Sequence, residues 1–128
     1  MSPLKKIMLT WDEVRQMRQD GIDFGSHTLS HPSLPYIPID EARNEIFHSK
    51  EVIENQLDEP VVHFCYPNPS NMNNVSSDII ELVKNAGYIS GTTSEKGYVK
   101  YNDNLFELKR KGIYYNLNAL TDFYFEIE

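Results

Sequence analysis

The chain contains one cysteine, Cys65, in 128 residues. A lone cysteine excludes an intrachain disulfide and any cysteine-rich metal knuckle. Its place in the apolar run His63-Phe64-Cys65-Tyr66 favours burial as a small hydrophobe over a reactive thiol. Positive charge is also scarce: 19 acids oppose 12 lysines and arginines, for a net charge of -7. A phosphate backbone is gripped by a basic stripe, so nucleic acid is not expected as a partner, and the short run Lys109-Arg110-Lys111 does not reverse the balance. No stretch approaches the roughly 20 apolar residues that cross a bilayer, and no basic head precedes an apolar segment of signal-peptide type. The chain therefore reads as soluble, cytoplasmic as it stands or extracytoplasmic if an export segment is missing.

What is present suits one ordered domain over residues 1–128, with 40% hydrophobic and 12% aromatic residues to build a core. Thr10, with Glu13 three residues on, predicts a capped helix carrying Trp11, Val14 and Met17 on one face and ending at Asp20-Gly21. Ile22 to Ser26 alternates like a brief strand that delivers His27 to its end. After a proline-rich loop, Pro32 to Pro38, a second helix is expected from Asp40 to Leu57 on the stripe Ala42, Ile46, Ile53 and Leu57. Val61 to Tyr66 is an apolar run of strand length, and the rigid loop Pro67 to Asn71 leaves it. Ser76 to Ala86 predicts a third helix stopped by Gly87, and Tyr88 to Thr92 the next strand. Leu105 to Tyr115 reads as extended and Leu117 to Phe123 as one short helix. Strands alternating with helices predict an α/β fold with mostly parallel strands.

Ser26-His27-Thr28-Leu29-Ser30-His31-Pro32 sets two imidazoles four residues apart directly after a strand. If Thr28 to His31 forms a helical turn, both rings share a face and can converge on one divalent cation. A catalytic zinc has three protein ligands and an open position, so a third ligand must come from elsewhere. Asp12, Asp23 and Asp103 are available in sequence, but nothing in the spacing aims any of them at the pair, and each reads as readily as a solvated surface acid. His48 lies off the apolar stripe of its helix and reads as a surface histidine, whereas His63 interrupts an apolar strand and reads as a hydrogen-bonded interior residue or one near a groove.

Gly21-Ile22-Asp23-Phe24-Gly25-Ser26-His27-Thr28-Leu29-Ser30-His31-Pro32 resembles the second motif of the polysaccharide deacetylase family, also called NodB-type or chitooligosaccharide deacetylase homology domains. Phe64-Cys65-Tyr66-Pro67 is similar to the third motif, whose loop borders the substrate groove, and the likeness continues through Val83 to Tyr88, Gly91-Thr92-Thr93 and Phe106 to Arg110. The resemblance implies a distorted (β/α) barrel and a divalent metal, zinc first, held by His27 and His31. It also implies that Tyr66, Pro67 and Asn68 line a saccharide site, and that the reaction is hydrolysis of a non-peptide amide of N-acetylated amino-sugar polymers to acetate and a free amine. Lewis-acid polarisation and a lowered water pKa, with a carboxylate moving the proton, are the chemical logic.

The departures are equally specific. The early Thr-Phe-Asp-Asp-Gly motif, source of the family's metal aspartate and catalytic base, has no counterpart, since no Asp-Asp pair occurs. The chain starts about 26 residues before His27, so the expectation is an incomplete domain, similar to the carboxyl-terminal two thirds of the family. Pro69 stands where the family's Tyr-Pro-x-Gly loop has its glycine, and Leu108-Lys109-Arg110 stands where a Leu-x-Arg-Ile segment is found in a subgroup, making Arg110 an accessory candidate. Three functions follow as expectations: a hydrolase whose missing acids are supplied elsewhere, a non-catalytic carbohydrate-binding remnant, or a truncated fragment that associates. Uncovered sheet edge and apolar surface favour association, so a homo-oligomer is expected.

Overall fold

Thr10 begins the first helix, α1 (Trp11–Gln19), through a reciprocal cap. The Glu13 amide donates to Thr10 Oγ1 at 3.3 Å, and the Thr10 amide donates to the Glu13 carboxylate at 2.7 Å. Gly21, at φ 96°, turns the chain away in a conformation few other residues adopt cheaply. The computed structural model describes residues 8–67 and 75–112. Asn68 and the helix expected over 117–123 lie outside them.

The proline-rich segment is not wholly irregular, because Leu34–Tyr36 winds into a 3-10 turn and buries Leu34. Helix α2 (Ile39–Leu57) follows the predicted stripe: Ala42 and Ile46 are fully buried, and Ile53 packs at the margin of the core. Asp40 and Glu41 occupy its first turn, where the helix dipole favours negative charge. Helix α3 (Ser77–Asn85) buries Ile79, Leu82 and Val83, and Gly87 at φ 85° redirects the chain into the next strand.

Three parallel strands form a sheet in the order β1 (His63–Cys65), β2 (Ser90–Lys96), β3 (Leu108–Arg110). β1 meets β2 with Phe64 opposite Gly91 and Cys65 opposite Thr92, and α3 provides the crossover. β2 meets β3 irregularly, advancing four residues from Thr92 to Lys96 while β3 advances two from Leu108 to Arg110. The expected strand over 61–66 is shortened at its start because the Val61 amide donates to the Glu54 carboxylate at 2.9 Å instead of to a ladder partner. The next strand begins at Ser90 and runs on to Lys96, beyond the expected Thr92. Ile22 to Ser26 forms no full strand; it contributes one parallel bridge, Ser26 to Phe64.

Phe64 is the centre of the core, edge-on to Tyr66 at 5.2 Å between centroids and tilted against Tyr88 at 5.1 Å. All three rings are buried; burying a phenylalanine such as Phe64 stabilises the fold by about 1.5–3 kcal/mol, and a hydroxyl without a partner among the described residues offsets part of the gain at Tyr66. Tyr66 and Tyr88 are thus packing residues, and their rings are not available to stack on a sugar. Strand alternation that turns Phe64 inward turns His63 outward: it is exposed, with Nδ1 2.8 Å from Ser90 Oγ, which corrects the interior reading. No helix among the described residues is long and apolar enough to cross a membrane.

Candidate functional site

The site grows from the carboxyl end of β1. Gly25 runs so close to that strand that a Cβ there would lie 2.8 Å from the His63 carbonyl oxygen, so only glycine permits the approach. The Ser26 amide then donates to the His63 carbonyl at 2.9 Å, and the Cys65 amide donates to the Ser26 carbonyl at 2.8 Å. This pairing brings His27 beside Cys65, where the ring places Nδ1 2.7 Å from the Cys65 backbone oxygen. A carbonyl only accepts, so Nδ1 carries the proton and Nε2 keeps its lone pair free. A backbone carbonyl holding one imidazole nitrogen while the other is presented outward is the usual arrangement behind a metal-ligating histidine.

His31 comes back to the same place. Its ring centroid is 4.7 Å from that of His27, with the planes at 74°, so the two imidazoles are direct neighbours, as two histidines sharing one ion would be. The route differs from the expected helical turn. Thr28 at φ 70° and His31 at φ 60° both take the left-handed conformation, which is uncommon for a β-branched residue, and the His31 amide donates to Thr28 Oγ1 at 3.1 Å. Both rings are exposed.

Helix α2 carries the loop from beneath. One oxygen of Glu45 accepts the amides of Leu29 at 2.8 Å and Ser30 at 2.9 Å, and the other accepts the Ser30 hydroxyl at 2.6 Å. Burial on its own would raise the Glu45 pKa, but these three donors outweigh it and hold the carboxyl below its ordinary value. One turn further along, Ser49 Oγ lies 2.7 Å from Ser26 Oγ and donates to the Ile46 carbonyl, which also accepts the Tyr88 hydroxyl. Glu45 and Ser49 belong to no motif in the sequence. The available signal was two polar residues in line with the apolar stripe at Ala42 and Ile46, where a polar group demands a partner.

The other predicted site residues divide. Tyr66 and Pro67 directly follow Cys65 and so border the histidine pair, but both are buried, and the Tyr66 hydroxyl has no hydrogen-bond partner among the described residues. Burial pushes the Tyr66 phenol well above its ordinary range, and the charge of Glu107 adds to the rise. Arg110 Nη1 lies 3.6 Å from Cys65 Sγ, so Cys65 touches Arg110 through sulfur and His27 through its carbonyl. Burial pushes the Cys65 thiol up, partly opposed by Arg110, which keeps it protonated and a poor nucleophile.

The three aspartates available in sequence as a third ligand are engaged elsewhere. Asp12 pairs with Arg15, Asp23 with Arg18, and Asp103 accepts the Lys100 amide. Among the described residues no three His, Cys, Asp or Glu side chains gather as a metal would require. His27 and His31 fit a divalent ion as two of its ligands and do not complete its shell. His48 is an exposed partner of Glu51, as expected.

The family model for polysaccharide deacetylase matches residues 4–90. The chain belongs to the polysaccharide deacetylase family. Among its relatives in this family, the protein YxkH of Bacillus subtilis (strain 168), described provisionally as a polysaccharide deacetylase, is 24% identical over 102 residues. That match takes in 80% of this chain and 35% of YxkH. The Streptococcus pyogenes deacetylase PplD, solved in complex with acetate, superimposes with a TM-score of 0.78 at 25% identity, over 89% of this chain and 50% of its own. The Bacillus cereus polysaccharide deacetylase BC0361 gives 0.78 at 26%, over 94% of this chain and 37% of its own. This deacetylase-family chain thus spans half or less of each of these relatives, and it carries their (β/α) fold with parallel strands.

Proposed function

We propose that this chain carries the two-histidine half of a metal-dependent N-deacetylase site acting on N-acetylated amino-sugar polymers, releasing acetate and a free amine by hydrolysis of the amide C–N bond. The observation that carries the reading is the His27 Nδ1 contact to the Cys65 carbonyl, which leaves Nε2 for a ligand, with the His31 ring 4.7 Å away between centroids. The similarity to a deacetylase solved with acetate supports it. Imidazole donors suit zinc, and a bound divalent ion supplies Lewis-acid polarisation and a water of lowered pKa.

The chain's own groups have separable tasks. His27 and His31 present ring nitrogens to the ion, and the Cys65 carbonyl orients His27. The segment from Tyr66 to Asn68 borders the saccharide; with the Tyr66 and Pro67 side chains buried, it does so through backbone at those two positions. Arg110, held at Cys65, orients an acidic partner. The remaining ligand and the base are carboxylates from outside the described residues, in this chain or another.

A non-catalytic saccharide-binding role is the second reading, favoured by the missing third ligand among the described residues. Self-association accompanies either reading and is supported by exposed apolar side chains at Met8, Leu9 and Ile22. The test is an acetate-release assay on N-acetylglucosamine oligomers with zinc added, run alongside saccharide-binding measurements. Deacetylation lost in His27→Ala and His31→Ala supports the enzyme. Binding without acetate release supports the second reading, and turnover indifferent to both histidines removes the first.

A further inference from the structure

The left-handed residues Thr28 and His31 make the histidine loop a conformation that its own sequence does not favour. Something outside the loop must select it. We infer that Glu45 and Ser49, one turn apart on α2, are positioning residues that clamp the loop on both sides of His27 and so set the two imidazoles for a shared cation.

The clamp has two jaws. Upstream, Ser49 meets Ser26, the residue immediately before His27, in a buried contact of 2.7 Å. Ser49 donates its own proton to the Ile46 carbonyl at 3.0 Å, so Ser26 is the donor in the pair. Downstream, Glu45 takes every donor that Leu29 and Ser30 can offer from two amides and one hydroxyl. Residues i and i+4 lie on one helix face, so a single rigid element holds Ser26 and Leu29-Ser30 at fixed separation. His27 and Thr28 are the residues spanned between the jaws, and His31 leaves directly after the second. Because α2 is anchored by the fully buried Ala42 and Ile46, the core sets the geometry of a site that is itself exposed.

This inference rests on the reading of His27 and His31 as cation ligands, and the experiment separates the two. Zinc binding is measured by calorimetry, cobalt binding by its visible spectrum, and amide exchange at Leu29 and Ser30 by NMR on the metal-free chain. Variants are Glu45→Ala, Glu45→Gln, Ser49→Ala and His27→Ala, with Arg15→Ala as a stability control on α1. The expected result is zinc affinity reduced about 10- to 100-fold in Glu45→Ala, the range seen for groups that orient ligands. The cobalt spectrum should change, and Leu29 and Ser30 should lose protection. Glu45→Gln keeps an acceptor for the two amides and recovers most of the affinity, whereas a purely stabilising role predicts that Arg15→Ala, at equal loss of melting temperature, weakens zinc as much. Should Glu45→Ala fail to fold, Glu45→Gln and Ser49→Ala still report, with Ser49→Ala expected to lower affinity and shift the cobalt bands. Zinc bound through His27 with full affinity in the clamp variants overturns the clamp alone. Zinc binding indifferent to His27→Ala overturns the histidine reading and the clamp with it.

Discussion

His27 Nδ1 stands 2.7 Å from the backbone oxygen of Cys65, a contact across 38 residues of sequence. It fixes the neutral imidazole as the Nδ1–H tautomer. Long-range proton–nitrogen NMR spectra of the neutral ring should show Nδ1 protonated and Nε2 bare. The opposite tautomer would leave Nε2 unable to serve as a ligand and would remove the geometric basis of the site.

The second partner in that contact also makes a chemical prediction. Burial keeps the Cys65 thiol protonated in spite of Arg110, and the thiolate is the reactive form. Thiol-specific reagents should label Cys65 slowly in the native chain and to completion in urea. Rapid native labelling would contradict the half-buried packing of Cys65 in β1.

Gly91 and Tyr66 test the core beneath the site. A Cβ at Gly91 would fall 2.5 Å from the Tyr66 hydroxyl oxygen and 2.6 Å from its ring, so Gly91→Ala should cost about 1–3 kcal/mol of stability by overpacking. Tyr66→Phe removes a buried hydroxyl that has no partner among the described residues, and should be neutral or mildly stabilising. Urea denaturation of both variants measures the two effects. A large loss in Tyr66→Phe would reveal a partner for that hydroxyl.

Thr10→Ala removes the reciprocal cap of α1 and should destabilise the chain by about 0.5–2 kcal/mol. Since α1 touches neither histidine, zinc affinity should not follow. A matching fall in both quantities would mean that α1 acts on the histidine loop through α2, which Arg15 reaches at Gln56 with a bond of 2.7 Å.

Acid should loosen the chain through two glutamates of α2. The Lys50 ammonium lowers the Glu54 pKa, burial opposes it, and the Val61 amide lowers it further; at Glu45 the Leu29 and Ser30 donors overcome burial. Both folded-state values lie below the ordinary 4.5. Their contribution is therefore complete above that value and is lost as pH falls through it toward the folded-state values. Denaturant midpoints followed from neutral to acidic pH should drop in this window, with a shallower slope in Glu54→Gln and in Glu45→Gln. An unchanged slope in both variants would assign acid sensitivity to other groups.

Helix positions were legible in the sequence because their causes are local. Thr10 and Glu13 cap within three residues, Ala42 and Ile46 repeat at helical spacing, and Gly87 stops α3 by its backbone freedom. The strand ends were less legible, since Val61 gives its amide to a carboxylate seven residues back on α2 rather than to a neighbouring strand. The pairing of His27 with His31 was also legible, but not the loop that achieves it, because Thr28 and His31 adopt a backbone that neither residue prefers.

By itself the sequence determined α1, α2 and α3 and which two imidazoles stand together, which depend on spacings of a few residues, and the alternation of strand and helix that makes β1 and β2 parallel. Only the tertiary structure decided the His27 tautomer, the burial of Tyr66 and the holding of the loop by Glu45 and Ser49. The tautomer and the loop depend on contacts spanning 38, 16 and 23 residues, from His27 to Cys65, Leu29 to Glu45 and Ser26 to Ser49, and Tyr66 is buried against Phe64 and the bare backbone of Gly91. Such pairs have no periodicity to betray them, because they meet only after the core has brought α2 and β1 together.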